Sequence, residues 1–285
     1  MVTSLVLAPL VLGACLLTSP YPLVVLCLLV ATIGFIELRG LMGSRSALPV
    51  LTLVGIALPF LGTETQQNRS PLQVLLYAVA FFLVGVFFAT ISARRSRVST
   101  AEIDMAGLWI AMPMTCVLMM HNRLFSFVPD LQLTASASPT HQLLGPSPFW
   151  QISVTPILGL VLPLWAGDIA AFLVGKYLGR HLLWPAVSPK KTVEGAVANL
   201  AATVGVCALI WPYLHCPRPG PWYVCGLAIG ILGQFGDLFE SWIKRRRGVK
   251  DSGSILPGHG GLLDRIDSLL FSAPAVAMLL VFWKT

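Results

Sequence analysis

The sequence predicts an all-α, polytopic integral membrane protein with about nine transmembrane helices. Two observations lead there. Of the 285 residues, 56% are hydrophobic and only 11% are charged, against roughly 25% charged in an ordinary soluble domain. Apolar runs approaching the ~20 residues that a membrane-crossing helix needs recur along the chain. This composition excludes a water-soluble globule and a disordered chain alike. No internal repeat, low-complexity tract or heptad period is visible.

Taken in order, the expected spans are 2–17, 22–38, 47–62, 71–93, 105–120, 152–175, 193–214, 222–240 and 264–283, each bounded by Pro, Gly or charge. Residues 2–17 lack a basic leader region and a small-residue cleavage site, so they read as a span bent at Pro9. The Ser19-Pro20-Tyr21-Pro22 turn after them also suits a re-entrant hairpin. The chain divides into an N-terminal transmembrane region, 1–150, with a long Ser-, Pro- and Thr-rich non-cytoplasmic loop at 121–151, and a region 151–285 that carries the chemistry.

Charge tests the span count. The balance is 19 basic against 12 acidic residues, a formal +7. With the N-terminus in the cytoplasm, every Lys and Arg except Arg69, Arg123, Arg218 and Lys284 falls on the cytoplasmic side. That asymmetry obeys the positive-inside rule, so the basic excess calls for a bilayer and no nucleic acid. The six cysteines form no CxxC pair and sit mostly in apolar runs, as buried thiols do.

The informative stretch is GQFGDLFESWIKRRRGVKDSGSILPGHGGLLDRIDS, residues 233–268. Asp237 and Glu240 share a helix face with Ser241, and Asp264 and Asp267 share one on the next helix. The connecting loop reverses the chain, so the two faces can meet. Carboxylates converging beside hydrocarbon need water, basic partners or a metal; hard oxygen donors suit Mg2+ held together with substrate phosphates. The loop supplies Lys244, Arg245, Arg246, Arg247 and Lys250, then Asp251, and ends Pro257-Gly258-His259-Gly260-Gly261 before a helix. Glycines and a helix N-terminus turn N–H groups toward an anion. Together these make a polyphosphate site. Plainer readings exist for some members: a topogenic role for Arg246 and Arg247, and an ion pair with Arg265 or a helix cap for Asp267.

Upstream, Asp168 lies inside an apolar span, either in a polar network or against substrate. Ser188-Pro189-Lys190-Lys191-Thr192-Val193-Glu194-Gly195 reads as a helix start, with Ser188 at N-cap and Pro189 at N1. Two lysines there oppose the helix dipole, which is relieved when an anion occupies the spot.

The run SWIKRRRGVKDSGSILPGHGGLLDRID, from Ser241 to Asp267, resembles the signature of the phosphatidate cytidylyltransferases, or CDP-diacylglycerol synthases: S-x-aliphatic-K-R, K-D, P-x-H-G-G, D-R-x-D. The GD-x-x-ES lead-in (Gly236, Asp237, Glu240, Ser241) and the S-P-x-K-T-x-E-G element at 188–195 agree too. The resemblance covers roughly 160–285; earlier residues agree only in hydropathy. Ile169, Phe172 and Val193 depart from it, standing where relatives often carry Ser or Thr, Tyr, and Trp.

The resemblance implies transfer of CMP from CTP to phosphatidate, yielding CDP-diacylglycerol and pyrophosphate. It also implies a homodimer in the bacterial cytoplasmic membrane, with a polar cavity open to the cytoplasm. Asp237 and Asp264 would hold Mg2+ and a second cation such as K+, with Lys244 and Lys250 catalytic beside them. The substrate-binding set would be Asp168, Ser188, Lys190, Lys191, Thr192, Glu194, Glu240, Ser241, Arg245, Asp251, His259, Gly260, Gly261, Arg265 and Asp267. A secondary transporter would instead spread carboxylates over repeated halves, and the D-G-x-x-A-R signature of CDP-alcohol phosphatidyltransferases is absent.

Overall fold

The computed structural model describes residues 2–17, 21–42, 100–121, 156–211, 222–253 and 260–284. These residues are mostly helical. The helices are α1 (Val2–Leu16), α2 (Tyr21–Met42), α3 (Thr100–His121), α4 (Leu158–Tyr177), α5 (Val193–Ile210), α6 (Trp222–Arg246) and α7 (Leu263–Lys284). A hairpin of β1 (Leu182–Trp184) and β2 (Ser188–Thr192) joins α4 to α5.

Among the described residues, α2, α4, α5 and α6 are long and apolar enough to cross a membrane. Helix α1 has only 15 residues, with Pro9 inside it. Within α3, the apolar stretch among the described residues is Trp109–Leu118, and α7 opens on Asp264, Arg265 and Asp267. The expected spans 47–62 and 71–93, and nearly all of the connector 121–151, lie outside the described residues.

Packing runs α4 on α5, α5 on α6, α6 on α7, α7 on α3 and α3 on α2. Small residues permit the tight crossings, as expected where lipid supplies no hydrophobic drive between helices. A Cβ added at Gly226 would stand 2.6 Å from Val204 Cα, so α5 and α6 nearly touch backbone to backbone. At Gly236 an added Cβ would strike the Asp267 carbonyl oxygen and come within 3.0 Å of Phe271, which sets α6 directly on α7 beside the acidic residues. Aromatic rings fill the adjacent face: Trp109 of α3 meets Phe239 edge-on at 5.4 Å and Phe271 at 5.8 Å. Leu23, Phe35, Ile110, Leu160, Ile229 and Leu270 belong to the buried core beneath.

One expectation fails. Ser188 is not a helix cap and Pro189 is not a first helical residue, because 188–192 is a strand paired with β1. Pro restricts the residue before it to extended backbone, and a two-stranded hairpin has only edges, where a missing N–H is tolerated. The cap is Thr192, whose Oγ1 accepts from Gly195 N at 3.1 Å. The strand's two-residue period separates the lysines: Lys190 is exposed and Lys191 half-buried.

Candidate active site

Helix α6 turns polar over its last third, where Glu240 and Ser241 follow Asp237 by three and four residues and precede Lys244 by four and three. It ends in a left-handed turn at Gly248, φ 70°. Gly248 N donates to Arg245 O at 3.1 Å and Val249 N to Lys244 O at 3.0 Å, the paired bonds of a glycine C-cap. The chain re-enters at Gly260, φ 79°, where an added Cβ would lie 3.0 Å from Asp264 Oδ2. Only glycine satisfies both demands.

Two lysines organise the carboxylates. Lys191 of β2 pairs with Asp237 Oδ2, while Ser241 Oγ donates to Asp237 Oδ1 at 3.5 Å. Lys244 Nζ lies 2.5 Å from Asp264 Oδ1 and 3.4 Å from Glu240 Oε2. Asp264 Oδ2 accepts from Gly261 N at 2.9 Å and Ser252 N at 3.1 Å. The bond from Gly261 is the back-reaching half of a capping box. Glu240 is 1% exposed, and neither of its oxygens accepts a hydrogen bond from the described residues. Asp267 is buried and its Oδ1 accepts from Ser268 N at 2.7 Å. It interacts electrostatically with Asp237 and Glu240, so the two lysine-centred groups form one charge network.

Asp168 takes part in a polar network, the first of its two expected roles. Its Oδ1 accepts from Asn199 Nδ2 at 3.5 Å, and it interacts electrostatically with Asp237 and Lys191. Gln234 continues the network, donating to Asn199 Oδ1 at 3.3 Å and to Gly230 O at 2.9 Å. Asn199 and Gln234 escaped the sequence reading; a lone amide in an apolar span was the available signal.

The remaining expected residues are more dispersed. Glu194 serves the hairpin: its Oε1 sits 2.7 Å from His181 Nδ1, and both oxygens accept from His181 N. Arg245 is tied to carbonyls, donating to Val187 O at 3.4 Å and Val249 O at 3.3 Å. Lys250, Asp251 and Arg265 are exposed, and His259 lies outside the described residues. Ile169, Phe172 and Val193 are all exposed. A carboxylate no motif suggested, Glu37 of α2, is buried against the start of α7. Among the described residues, no three His, Cys, Asp or Glu side chains converge as a ready metal cage.

A phosphatidate cytidylyltransferase of Staphylococcus aureus (strain COL) is 46% identical over 131 residues, covering 44% of this chain and 48% of that protein. One from Synechocystis sp. is 48% identical over 118 residues, 40% of this chain and 39% of that protein. One from Staphylococcus saprophyticus is 44% identical over 131 residues. The matched stretch therefore spans about half the length of these relatives or less. The sequence model of the cytidylyltransferase family extends much further, over residues 1–283, and the chain belongs to that family.

Proposed function

We propose that the chain is a phosphatidate cytidylyltransferase, which transfers CMP from CTP to phosphatidate for phospholipid biosynthesis. One observation carries the reading: at the facing ends of α6 and α7, Lys191 of β2 pairs with Asp237 while Lys244 bridges Glu240 and Asp264. Two ammoniums thus face three carboxylates; a phosphate can claim either ammonium, and the surplus negative charge favours a cation.

The chemistry needs little more. Phosphatidate is a phosphate monoester with a second pKa of about 6, so it is largely dianionic at neutral pH and requires no general base. One of its oxygens attacks the α-phosphorus of CTP in line. The bond from that phosphorus to the α–β bridging oxygen breaks, and pyrophosphate departs with the electron pair. The obstacle is repulsion between two anions. Lys191 and Lys244 pair with the carboxylates; Lys190 and Lys250 are exposed, and Arg245 is engaged with carbonyls. Ser241 can donate to a phosphate oxygen once released from Asp237.

Metal dependence is part of the proposal. The donors are hard oxygens that, among the described residues, form no all-protein cage, which fits Mg2+, an ion that takes one or two carboxylates and completes its shell with phosphates and water. Asp237 and Asp264 would hold it, with K+ as a candidate second cation. When bound, the ion supplies charge neutralisation at the transferring phosphate and at the leaving pyrophosphate.

The bilayer belongs to the same reading. Diacyl tails remain in lipid, while the headgroup and CTP meet in a polar cavity open to the cytoplasm of the bacterial inner membrane. The N-terminus is cytoplasmic, and the chain pairs as a homodimer. Purified protein in detergent, given labelled CTP, phosphatidate and Mg2+, should yield a lipid-soluble cytidine product, and EDTA should abolish it. No lipid-soluble label would refute the assignment.

A further inference from the structure

We propose that Glu37, on α2, is a positioning residue that holds Asp264 in its working orientation. The catalytic half of this inference rests on the transferase reading above; the anchoring half rests on geometry alone.

Glu37 is 5% exposed. Its Oε1 accepts from Leu262 N at 2.9 Å, and its Oε2 accepts from Leu263 N at 2.8 Å and Ser252 Oγ at 3.3 Å. These donors flank the loop between α6 and α7 on both sides. Asp264 grips the same two stretches, through Ser252 N and Gly261 N. Ser252 thus gives its N–H to Asp264 and its hydroxyl to Glu37. Gly261 N–H goes to Asp264, and the next two N–H groups go to Glu37. Room for the second carboxylate comes from glycine: a Cβ at Gly253 would lie 2.6 Å from Glu37 Oε1, and one at Gly261 would lie 2.7 Å from Oε2.

The physics favours a carboxylate there. The first N–H groups of a helix have no intrahelical partner, and the N-terminus is partially positive. Asp264 can satisfy one donor of α7 but not the next two. Without Glu37, Leu262 and Leu263 would carry buried, unpaired N–H groups, and the first turn of α7 would refold toward other acceptors. Asp264 would turn with it, away from Lys244.

The test uses the full-length protein in detergent with Glu37→Gln, which keeps the shape but replaces an acceptor with a donor. Hydrogen–deuterium exchange is read over 252–253 and 260–264, with α4 and α5 as internal reference, and kcat and KM are measured in parallel. Exchange in those two stretches should accelerate by at least about tenfold while the reference is unchanged. Displacing a reacting group by about 1 Å can lower turnover about 100-fold, so kcat should fall by about 10- to 100-fold with KM for phosphatidate within about twofold. Ser252→Ala, which removes only one of the three donors, should move both readouts less and in the same direction; it decides the question if Glu37→Gln does not fold. Unchanged exchange, a uniform rise over all helices, or faster local exchange with unchanged kcat would overturn the proposal. An unsubstituted protein that makes no lipid product would refute the transferase reading, and the exchange pattern would still decide the anchoring.

Discussion

Lys244 Nζ stands 2.5 Å from Asp264 Oδ1 and 3.4 Å from Glu240 Oε2, so one ammonium ties the last turn of α6 to the first turn of α7. All three side chains are nearly enclosed, at 11%, 12% and 1% exposure. Such a knot is structural by its geometry and chemical on the proposed reading, and substitution can separate the two roles.

Lys244→Met strands two carboxylates. Removing one partner of a buried ion pair destabilises by about 3–5 kcal/mol, so thermal unfolding in detergent should drop clearly and turnover should vanish. Adding Glu240→Gln removes one stranded charge. The double variant should recover part of the lost stability and none of the turnover. Recovery of both would make Lys244 a strut only.

The hairpin gives a sharper comparison. Lys191 pairs with Asp237, whereas its neighbour Lys190 points outward. Lys191→Met should lower kcat/KM for CTP by about 100-fold, the scale of losing a charge-stabilising group. Lys190→Met should stay within about threefold, as removal of an exposed charge does. Equal effects from the two variants, measured with labelled CTP, would contradict the strand geometry.

The crossing of α6 on α7 makes a stability prediction. Gly236→Ala drives a methyl into the Asp267 carbonyl and Phe271, and overpacking of this kind lowers stability by about 1–3 kcal/mol. Gly205→Ala on α5 meets nothing within 4 Å, and its helix propensity gain is up to about 1 kcal/mol. The two unfolding temperatures should therefore move in opposite directions.

Sequence alone carried part of this arrangement. The start of α5 at Val193, the polar end of α6 and the acidic start of α7 were legible because apolar periodicity, charge and glycine placement are local. The expected convergence of the two acidic faces rested on chain reversal through the loop, and Gly236 against Asp267 is the contact that joins those helices. Other features were not local. Glu37 meets α7 from more than 200 residues away, and no spacing rule links an isolated carboxylate at the end of an apolar span to a distant helix start. Asn199 and Gln234 find Asp168 only once three helices are packed. Ser188-Pro189 looked like a helix start because those residues serve helix starts and strands equally; pairing with β1 decided between them.

In the proposed reaction Asp237 and Asp264 hold a divalent ion while CMP is transferred. The most direct test of this claim is paramagnetic resonance of Mn2+, substituted for Mg2+, bound to purified protein with CTP, with Asp237→Asn and Asp264→Asn compared after membrane insertion has been checked. The account predicts a CTP-dependent bound-Mn2+ signal in the unsubstituted protein, and loss of both that signal and product formation in each variant. A bound signal and near-normal turnover in Asp264→Asn would contradict it.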